Sequence, residues 1–242
     1  MIQVINRALD IIELLAKEPQ QAKSLSEIAE SVSVQPSTCA NIIKTLTGRG
    51  YIRKMDNQKG YLIGDKLQHL FENGFQEKLI EKSKIELEYL TQKLNENTSL
   101  AVLEGNTRKV ILKVISDQQI QAQTPDIKNT YDTSTGRVLL AMESDDVLKQ
   151  YLQKYGLPEK GLWNEIVDEK TFFDEIGKIR EQGYALIEDS VQVIGFSAPI
   201  YSKDKSVAAL SIYMPAFRYS ESLRKTLIEL GLKTTKKISG LL

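Results

Sequence analysis

The fold of the N-terminal part of the chain is decided by residues 35–64, which read QPSTCANIIKTLTGRGYIRKMDNQKGYLIG. Proline at position 36 suits the first turn of a helix, where its missing N–H would be unpaired anyway. Apolar residues then recur at helical spacing as far as Leu46, and the glycines at positions 48 and 50 are typical of a helix end. Two short strand-like runs follow, over 51–55 and 61–63, and the turn-rich segment between them predicts a β-hairpin.

Two further helices are predicted before this one. Ser26 is expected to cap a short second helix that runs from Glu27 to Val32. The first helix covers residues 4–16, and its apolar face is formed by Ile5, Ala8, Leu9, Ile12 and Leu15. Three helices followed by a hairpin predict a winged helix-turn-helix, a fold whose third helix enters the major groove of DNA.

The third helix turns short polar side chains away from its apolar face, and such side chains hydrogen-bond base edges or phosphates. Asn41 is the best candidate for reading a base, because an asparagine amide pairs with adenine through two hydrogen bonds. Basic residues of the hairpin are expected to neutralise phosphates. The predicted DNA-binding residues are Gln35, Ser37, Thr38, Asn41, Lys44, Arg53, Lys54 and Lys59.

The composition limits the class of protein. Because 32 basic residues balance 32 acidic ones, attraction to nucleic acid has to come from local charge, and residues 35–66 carry six basic residues against two acidic ones. A single cysteine, Cys39, excludes an internal disulfide and a thiolate metal cluster, which fits a reducing compartment. With no apolar run of about 18 residues and no signal-peptide pattern, we expect a cytoplasmic protein that is not bound to a membrane.

The remainder of the chain predicts a second, larger domain. We expect the DNA-binding domain over residues 1–64, a linker over 65–77, and a domain over 78–242 that starts with a long helix to Asn95. Strands are predicted at 100–103, 110–115, 184–188, 197–201 and 207–214, and helices at 134–142 (a helical stretch continuing past 145), 171–182 and from 220 onward. This order predicts an α+β fold with a mixed, mostly antiparallel sheet and helices packed on it.

Several segments resemble the IclR-type (isocitrate lyase regulator) family of transcriptional regulators. In the N-terminal part they are RALDIIELL at 7–15, LSEIAE at 25–30, PST at 36–38 and RGYI at 49–52. Further along they are YLIG at 61–64, residues 136–141, GYA at 183–185, API at 198–200 and VAALS at 207–211. The resemblance therefore covers essentially the full chain.

The resemblance implies a DNA-binding regulator that forms homodimers or tetramers. We favour a repressor over an activator, and the sequence leaves the sign of the regulation open. The C-terminal domain would be GAF-like and would bind a small-molecule effector, an organic acid, beneath a helix N-terminus that suits a carboxylate. By position, the resemblance implies as effector-binding residues Leu103, Thr133, Ser134, Thr135, Gly136, Asp189, Gly195 and Ser211. Two departures are Ala40-Asn41, where many relatives have a His-Arg pair, and Gly195, where many have a cysteine. The first predicts a different operator sequence, with Asn41 favouring adenine.

Other functions stay open at this stage. The chain is alternatively an interaction protein whose winged helix no longer reads specific DNA and whose sheet domain docks a protein partner. The apolar side chains at 191, 193 and 194 leave room for a less polar ligand or for none. An enzyme is not expected, because the only histidine, His69, lies in the linker, away from any glycine-rich nucleotide loop or Ser-His arrangement. We expect no cofactor and no His/Cys metal site, although a carboxylate-only site stays possible.

Overall fold

The computed structural model describes residues 2–19, 21–55, 60–189 and 191–242, and within 68–73 it describes the backbone alone. Two compact units are present, Met1–Glu77 and Lys78–Leu242. None of the helices in the described residues is both long and apolar enough to cross a membrane.

The described residues of the first unit form three complete helices, the beginning of a fourth and a two-stranded antiparallel sheet. The strands are β1 (Ile52–Lys54) and β2 (Tyr61–Ile63), with Arg53 opposite Leu62. The complete helices are α1 (Gln3–Lys17), α2 (Leu25–Ser31) and α3 (Pro36–Gly48), which confirms the predicted helix-turn-helix followed by a hairpin.

The start of α2 differs from the sequence prediction. Ser24, not Ser26, is the N-cap: its hydroxyl accepts a hydrogen bond from the Glu27 N–H at 3.3 Å. The Glu27 carboxylate in turn accepts one from the Ser24 N–H at 2.7 Å, which completes a capping box. The helix therefore begins at Leu25, two residues before the expected position, and Ser26 is an exposed residue of its first turn.

The core of the first unit is formed where the inner faces of α1, α2 and α3 meet β1. Its buried residues include Leu15, Ile28, Cys39, Ile43 and Ile52. The apolar face predicted for α1 is only partly correct, because Ile11 is fully buried whereas Ile5 and Leu9 are 53% and 51% exposed. After α3, the chain turns at Gly50, whose φ of +78° is favourable for glycine alone, and Gly64 packs against it.

The second unit begins within a long helix, α4 (Asp65–Leu94), and the division between the units falls inside this helix. The residues 65–77 that were expected to be a linker are thus helical. Six strands follow in the sheet order β5-β4-β3-β8-β7-β6, and every recorded pair among the described residues is antiparallel. The strands are β3 (Asn97–Glu104), β4 (Thr107–Val114), β5 (Ile127–Asn129), β6 (Ala185–Glu188), β7 (Val193–Ser202) and β8 (Lys205–Pro215).

Helices cover both faces of this sheet. They are α5 (Ser134–Ala141), α6 (Asp145–Tyr155), α7 (Glu169–Gln182) and α8 (Glu221–Ser239). Side chains of a strand alternate between its two faces, and on β7 Ser197 contacts α5 while Phe196 packs against Gly231 of α8. The two helices therefore lie on opposite faces. Strand β5 was not predicted, because three residues with one exposed isoleucine give no recognisable strand pattern.

Candidate functional site

One face of α3 carries most of the residues predicted to bind DNA. Cys39, Ile42 and Ile43 face the core, so Ser37, Asn41 and Lys44 are exposed on the opposite side. Thr38 is half-buried beside them, and Gln35, which precedes the helix, is exposed. The structure thus brings these five predicted residues together on an accessible polar surface, which we call the α3 face.

The hairpin adds two exposed cations, Arg53 and Lys54, on β1. The third predicted cation, Lys59, lies outside the described residues, and the side chain of His69 does as well. Sequence reasoning did not assign a role to Arg7 of α1, which lines a surface cavity of about 460 Å³ together with Gln35 and Thr38. Arg7 thus places a guanidinium beside that end of the α3 face.

The second unit contains a small cavity, which we call the inner cavity, between the sheet and the N-terminus of α5. Its volume is about 50 Å³. Six of the eight predicted effector residues line it: Thr133, Ser134, Thr135, Asp189, Gly195 and Ser211. The lining that was not predicted is Ser99, Arg108, Thr124, Lys128, Asp132, Ile187, Val193 and Tyr213.

Strand register and helix capping shape this cavity. Ser211 of β8 is paired with Ser99 of β3 on one side and with Ser197 of β7 on the other, so three serines stand side by side. Thr133 caps α5 by accepting a hydrogen bond from the Gly136 N–H at 3.0 Å. The N–H groups of Ser134 and Thr135 belong to the first turn, where no carbonyl of the helix accepts them. They and the helix dipole make this wall attractive to an anion.

Two predicted effector residues lie elsewhere. Leu103 packs against the core cluster around Tyr131 and Val138, on the side of α5 that faces α7. Gly136 does not line the cavity, and a Cβ at this position would stand 2.0 Å from the Thr130 carbonyl oxygen. Its role in the structure is to let the turn before α5 pack closely against the helix.

Arg108 of β4 is the principal site residue that the sequence analysis missed. Its side chain is 2% exposed, and it donates hydrogen bonds to the Pro125 carbonyl and the Thr124 hydroxyl, both at 2.9 Å. Among the described residues, its Nε has no hydrogen-bond partner and no carboxylate lies within ion-pair distance. Burial lowers the pKa of Arg108 from its usual value, and burial raises the pKa of the neighbouring Tyr213 to about 12. The cavity therefore contains a buried guanidinium that no carboxylate contacts directly, with the charges of Asp126 and Asp132 acting on it from further away and a neutral phenol beside it.

Lys128 of β5 is a second cation in the wall, and it forms ion pairs with two carboxylates. Its Nζ lies 2.9 Å from an Asp132 carboxylate oxygen and 3.4 Å from an Asp189 carboxylate oxygen. The other Asp189 oxygen accepts hydrogen bonds from the N–H groups of Val191 and Val193. Asp189 is thus already used in holding the turn before β7 and in pairing with Lys128.

The described residues contain no group of three or more histidine, cysteine, aspartate or glutamate side chains arranged to hold a metal ion. Cys39 is buried among the apolar side chains of α3, and burial raises the pKa of its thiol. This favours a packing role over a reactive one.

Comparison with known proteins gives matches over both units. The profile of the "IclR helix-turn-helix domain" matches residues 4–56, and that of "Bacterial transcriptional regulator IclR C-terminal" matches residues 76–240. The HTH-type transcriptional regulator TtgV of Pseudomonas putida is 27% identical over 243 residues, which cover 98% of this chain and 92% of TtgV.

Solved structures match over the same length. The crystal structure of a transcriptional regulator from a Rhodococcus species has a TM-score of 0.63 and 25% identity, and the match covers 100% of this chain and 98% of the other. That of an IclR homolog from Microbacterium hydrocarbonoxydans, complexed with 4-hydroxybenzoate, has a TM-score of 0.60 and 21% identity, with coverage of 99% and 98%. This chain therefore shares its fold with these proteins over both units, which correspond to the helix-turn-helix domain and the C-terminal effector domain.

Proposed function

The chain belongs to the IclR family of bacterial transcriptional regulators, and from that premise we propose that it is a repressor whose affinity for its operator is set by a small organic acid. The observation that carries this proposal is the inner cavity, in which a buried guanidinium that no carboxylate contacts directly and the first turn of α5 face the same small volume. The proposal divides the chain into a DNA-binding domain at 1–64, a connecting segment at 65–77 and an effector domain at 78–242.

DNA binding is proposed to use the α3 face in the major groove. Asn41 lies near the middle of that face and is exposed, so its amide can form two hydrogen bonds with an adenine edge. Lys44, Arg53 and Lys54 contact phosphates, which fix the position of α3 without reading sequence. The predicted contact by Lys59 belongs to the same group.

The effector is proposed to be a carboxylate. A buried cation without a carboxylate in direct contact is costly, and an anion that enters the cavity relieves that cost while it accepts hydrogen bonds from the N–H groups of Ser134 and Thr135. With a volume of about 50 Å³, the cavity suits an acid of a few carbon atoms without rearrangement. Binding by a larger acid, such as the 4-hydroxybenzoate of the Microbacterium relative, requires the cavity to widen.

A homodimer is proposed because α1 exposes a continuous apolar face. Ile2, Ile5 and Leu9 follow one another at helical spacing and are 69%, 53% and 51% exposed. Contiguous exposed apolar side chains of this kind mark interaction surfaces. A second copy that covers this face gives a two-fold symmetric pair of α3 helices, which reads two half-sites on DNA.

The proposal is tested by selecting fragments of the source genome that the purified protein retains, followed by gel shifts over a range of salt. We expect binding to one or a few fragments that survives competitor DNA, with a salt slope that corresponds to several phosphates. A reporter placed behind the selected fragment should be more active when the regulator is deleted. Binding without sequence preference supports the interaction-protein alternative, and lower reporter activity after deletion identifies an activator.

A further inference from the structure

A second and larger cavity lies outside the inner one, between α7, β6 and the residues before α7. We call it the outer cleft, and its volume is about 610 Å³. The only tryptophan of the chain, Trp163, forms part of its wall, with the Arg137 guanidinium 4.3 Å from the ring centre. Nothing in the proposed function uses this cleft.

The two cavities share one wall. Asp132, Ile187 and Asp189 line both the inner cavity and the outer cleft. Lys128, which lines the inner cavity, holds the two aspartates of this wall together through its ammonium group. The side chains of this ion-paired group are 22%, 21% and 13% exposed for Lys128, Asp132 and Asp189, so solvent reaches part of this wall.

The weaker half of this group is the contact between Lys128 and Asp189. Its distance is 3.4 Å against 2.9 Å to Asp132, and Asp189 keeps two backbone N–H partners when the ammonium leaves. Lysine has a flexible stem and a point charge, so it can exchange one oxygen partner for another at little cost.

We infer that Lys128 is a gate between the outer cleft and the inner cavity, and that molecules pass from the cleft into the cavity when its ammonium moves off Asp189. That the molecule admitted is an organic acid rests on the proposed function. The gate itself rests on the shared wall. A passing carboxylate takes the place of Asp189 at the ammonium before it reaches Arg108.

The outer cleft is lined by more negative than positive side chains. Its lining holds one guanidinium, that of Arg137, and five carboxylates: Asp132, Glu165, Glu175, Glu188 and Asp189. An anion is repelled at this mouth, and salt screens that repulsion. Access should therefore be slower for an anion than for a neutral molecule of the same size, and the difference should shrink as salt is added.

The test uses the full chain with its single cysteine replaced, Cys39→Ala, and a reporter cysteine in the inner cavity, Ser211→Cys. The probe is iodoacetamide, and mass spectrometry follows the rate of alkylation. Lys128→Ala removes the bridge and leaves two like charges facing each other, so we expect alkylation to accelerate about twofold to fivefold, the factor of a modest ion pair. Lys128→Arg should keep the slow rate, and Lys149→Ala, an exposed lysine on α6, should not change it.

Partial unfolding is separated from gating by a second reporter, Ala141→Cys, which is fully buried in the core and lies outside both cavities. If Lys128 is a gate, its removal accelerates alkylation of the cysteine at position 211 alone, whereas partial unfolding accelerates alkylation at both positions. With each rate divided by that of the same reagent with free cysteine, iodoacetate should alkylate the cysteine at position 211 more slowly than iodoacetamide does. This difference should shrink as KCl is raised from about 10 mM to about 500 mM. An equal rate at position 211 with and without Lys128 overturns the gate. Neither outcome depends on whether an acid regulates DNA binding.

Discussion

Gly195 of β7 stands directly against Ser134 in the first turn of α5: a Cβ on this glycine would lie 2.7 Å from the Ser134 hydroxyl oxygen. That hydroxyl is hydrogen-bonded to Ser197 at 2.7 Å, and both serines are buried. The glycine thus brings the sheet against the wall of the inner cavity that attracts anions.

The first prediction concerns this contact. Gly195→Ala should push the Ser134 hydroxyl off Ser197 and leave a buried hydroxyl unpaired, which lowers the free energy of unfolding by about 1–3 kcal/mol. Gly177→Ala is the matched control, since it lies in α7 with open space around it and should stabilise the protein by about 0.5–1 kcal/mol. Urea unfolding of both variants measures the difference. If Gly195→Ala leaves the free energy of unfolding unchanged, α5 moves to accommodate the methyl group.

The second prediction separates charge from shape in the inner cavity. Small carboxylic acids and their amides are compared by the melting temperature of the full chain, and we expect an acid, but not its amide, to stabilise it. At about 100 times its Kd a bound acid adds about 2.7 kcal/mol to the free energy of unfolding. Arg108→Gln should abolish the shift, whereas Lys178→Gln, an exposed lysine of α7, should retain it. Equal stabilisation by acid and amide would exclude Arg108 as the group that selects an anion.

The third prediction concerns base readout. Asn41→Ala should reduce discrimination at one adenine of the operator by about 1–3 kcal/mol, measured as the ratio of Kd values for the intact and the substituted site. Lys54→Ala should instead weaken binding to both sites equally and reduce the salt slope by about one. If Asn41→Ala behaves as Lys54→Ala does, the amide contacts the backbone and reads no base.

The fourth prediction concerns the exposed face of α1. Leu9→Lys places a charge in the centre of the proposed dimer interface, so we expect sedimentation to show a shift from dimer towards monomer, together with weaker operator binding. Val167→Lys changes a residue that is 77% exposed in the second unit and should leave the assembly unchanged. A Leu9→Lys dimer of unchanged stability would place the interface elsewhere.

The fifth prediction tests the cap of α2. Ser24→Ala should lower the free energy of unfolding by about 1 kcal/mol, whereas Ser26→Ala, which removes no cap, should leave it almost unchanged.

The hydrogen bonds from Ser24 lower the pKa of Glu27 below its usual 4.5. Stability from this group is therefore present above that pKa and lost as the pH falls through the lower folded value. The difference between the native chain and Glu27→Gln should shrink over that acidic range, as measured by urea unfolding.

The proposed function requires that binding of the effector is coupled to binding of DNA. A ligand changes DNA affinity only by the difference between its affinities for the two states of the protein. The Arg108 and Asn41 variants therefore belong in one experiment, in which the effect of an acid on operator binding is measured for each. We expect Arg108→Gln to remove the response to acid with DNA binding intact. Asn41→Ala should instead weaken specific operator binding and keep the response to acid.

The sequence by itself determined the helix-turn-helix, the hairpin and most strands of the second unit. Helical spacing, the proline at position 36 and the glycines near 50 act within a few residues of one another, so their consequences can be read from local pattern. Where such signals compete at close range, local pattern is less decisive: Ser24 and Ser26 are both suitable caps, and only the folded chain shows which hydroxyl reaches the Glu27 N–H.

The tertiary structure alone decided what surrounds the inner cavity. Ser99 and Ser211 are far apart in the chain and meet through strand register, and Arg108 and Lys128 reach the cavity from β4 and the unpredicted β5. A lone basic residue in a strand carries no sequence signal that separates it from a solvated one. The cost of burying its charge without a carboxylate in direct contact is a property of the assembled sheet, and so is the site that this charge creates.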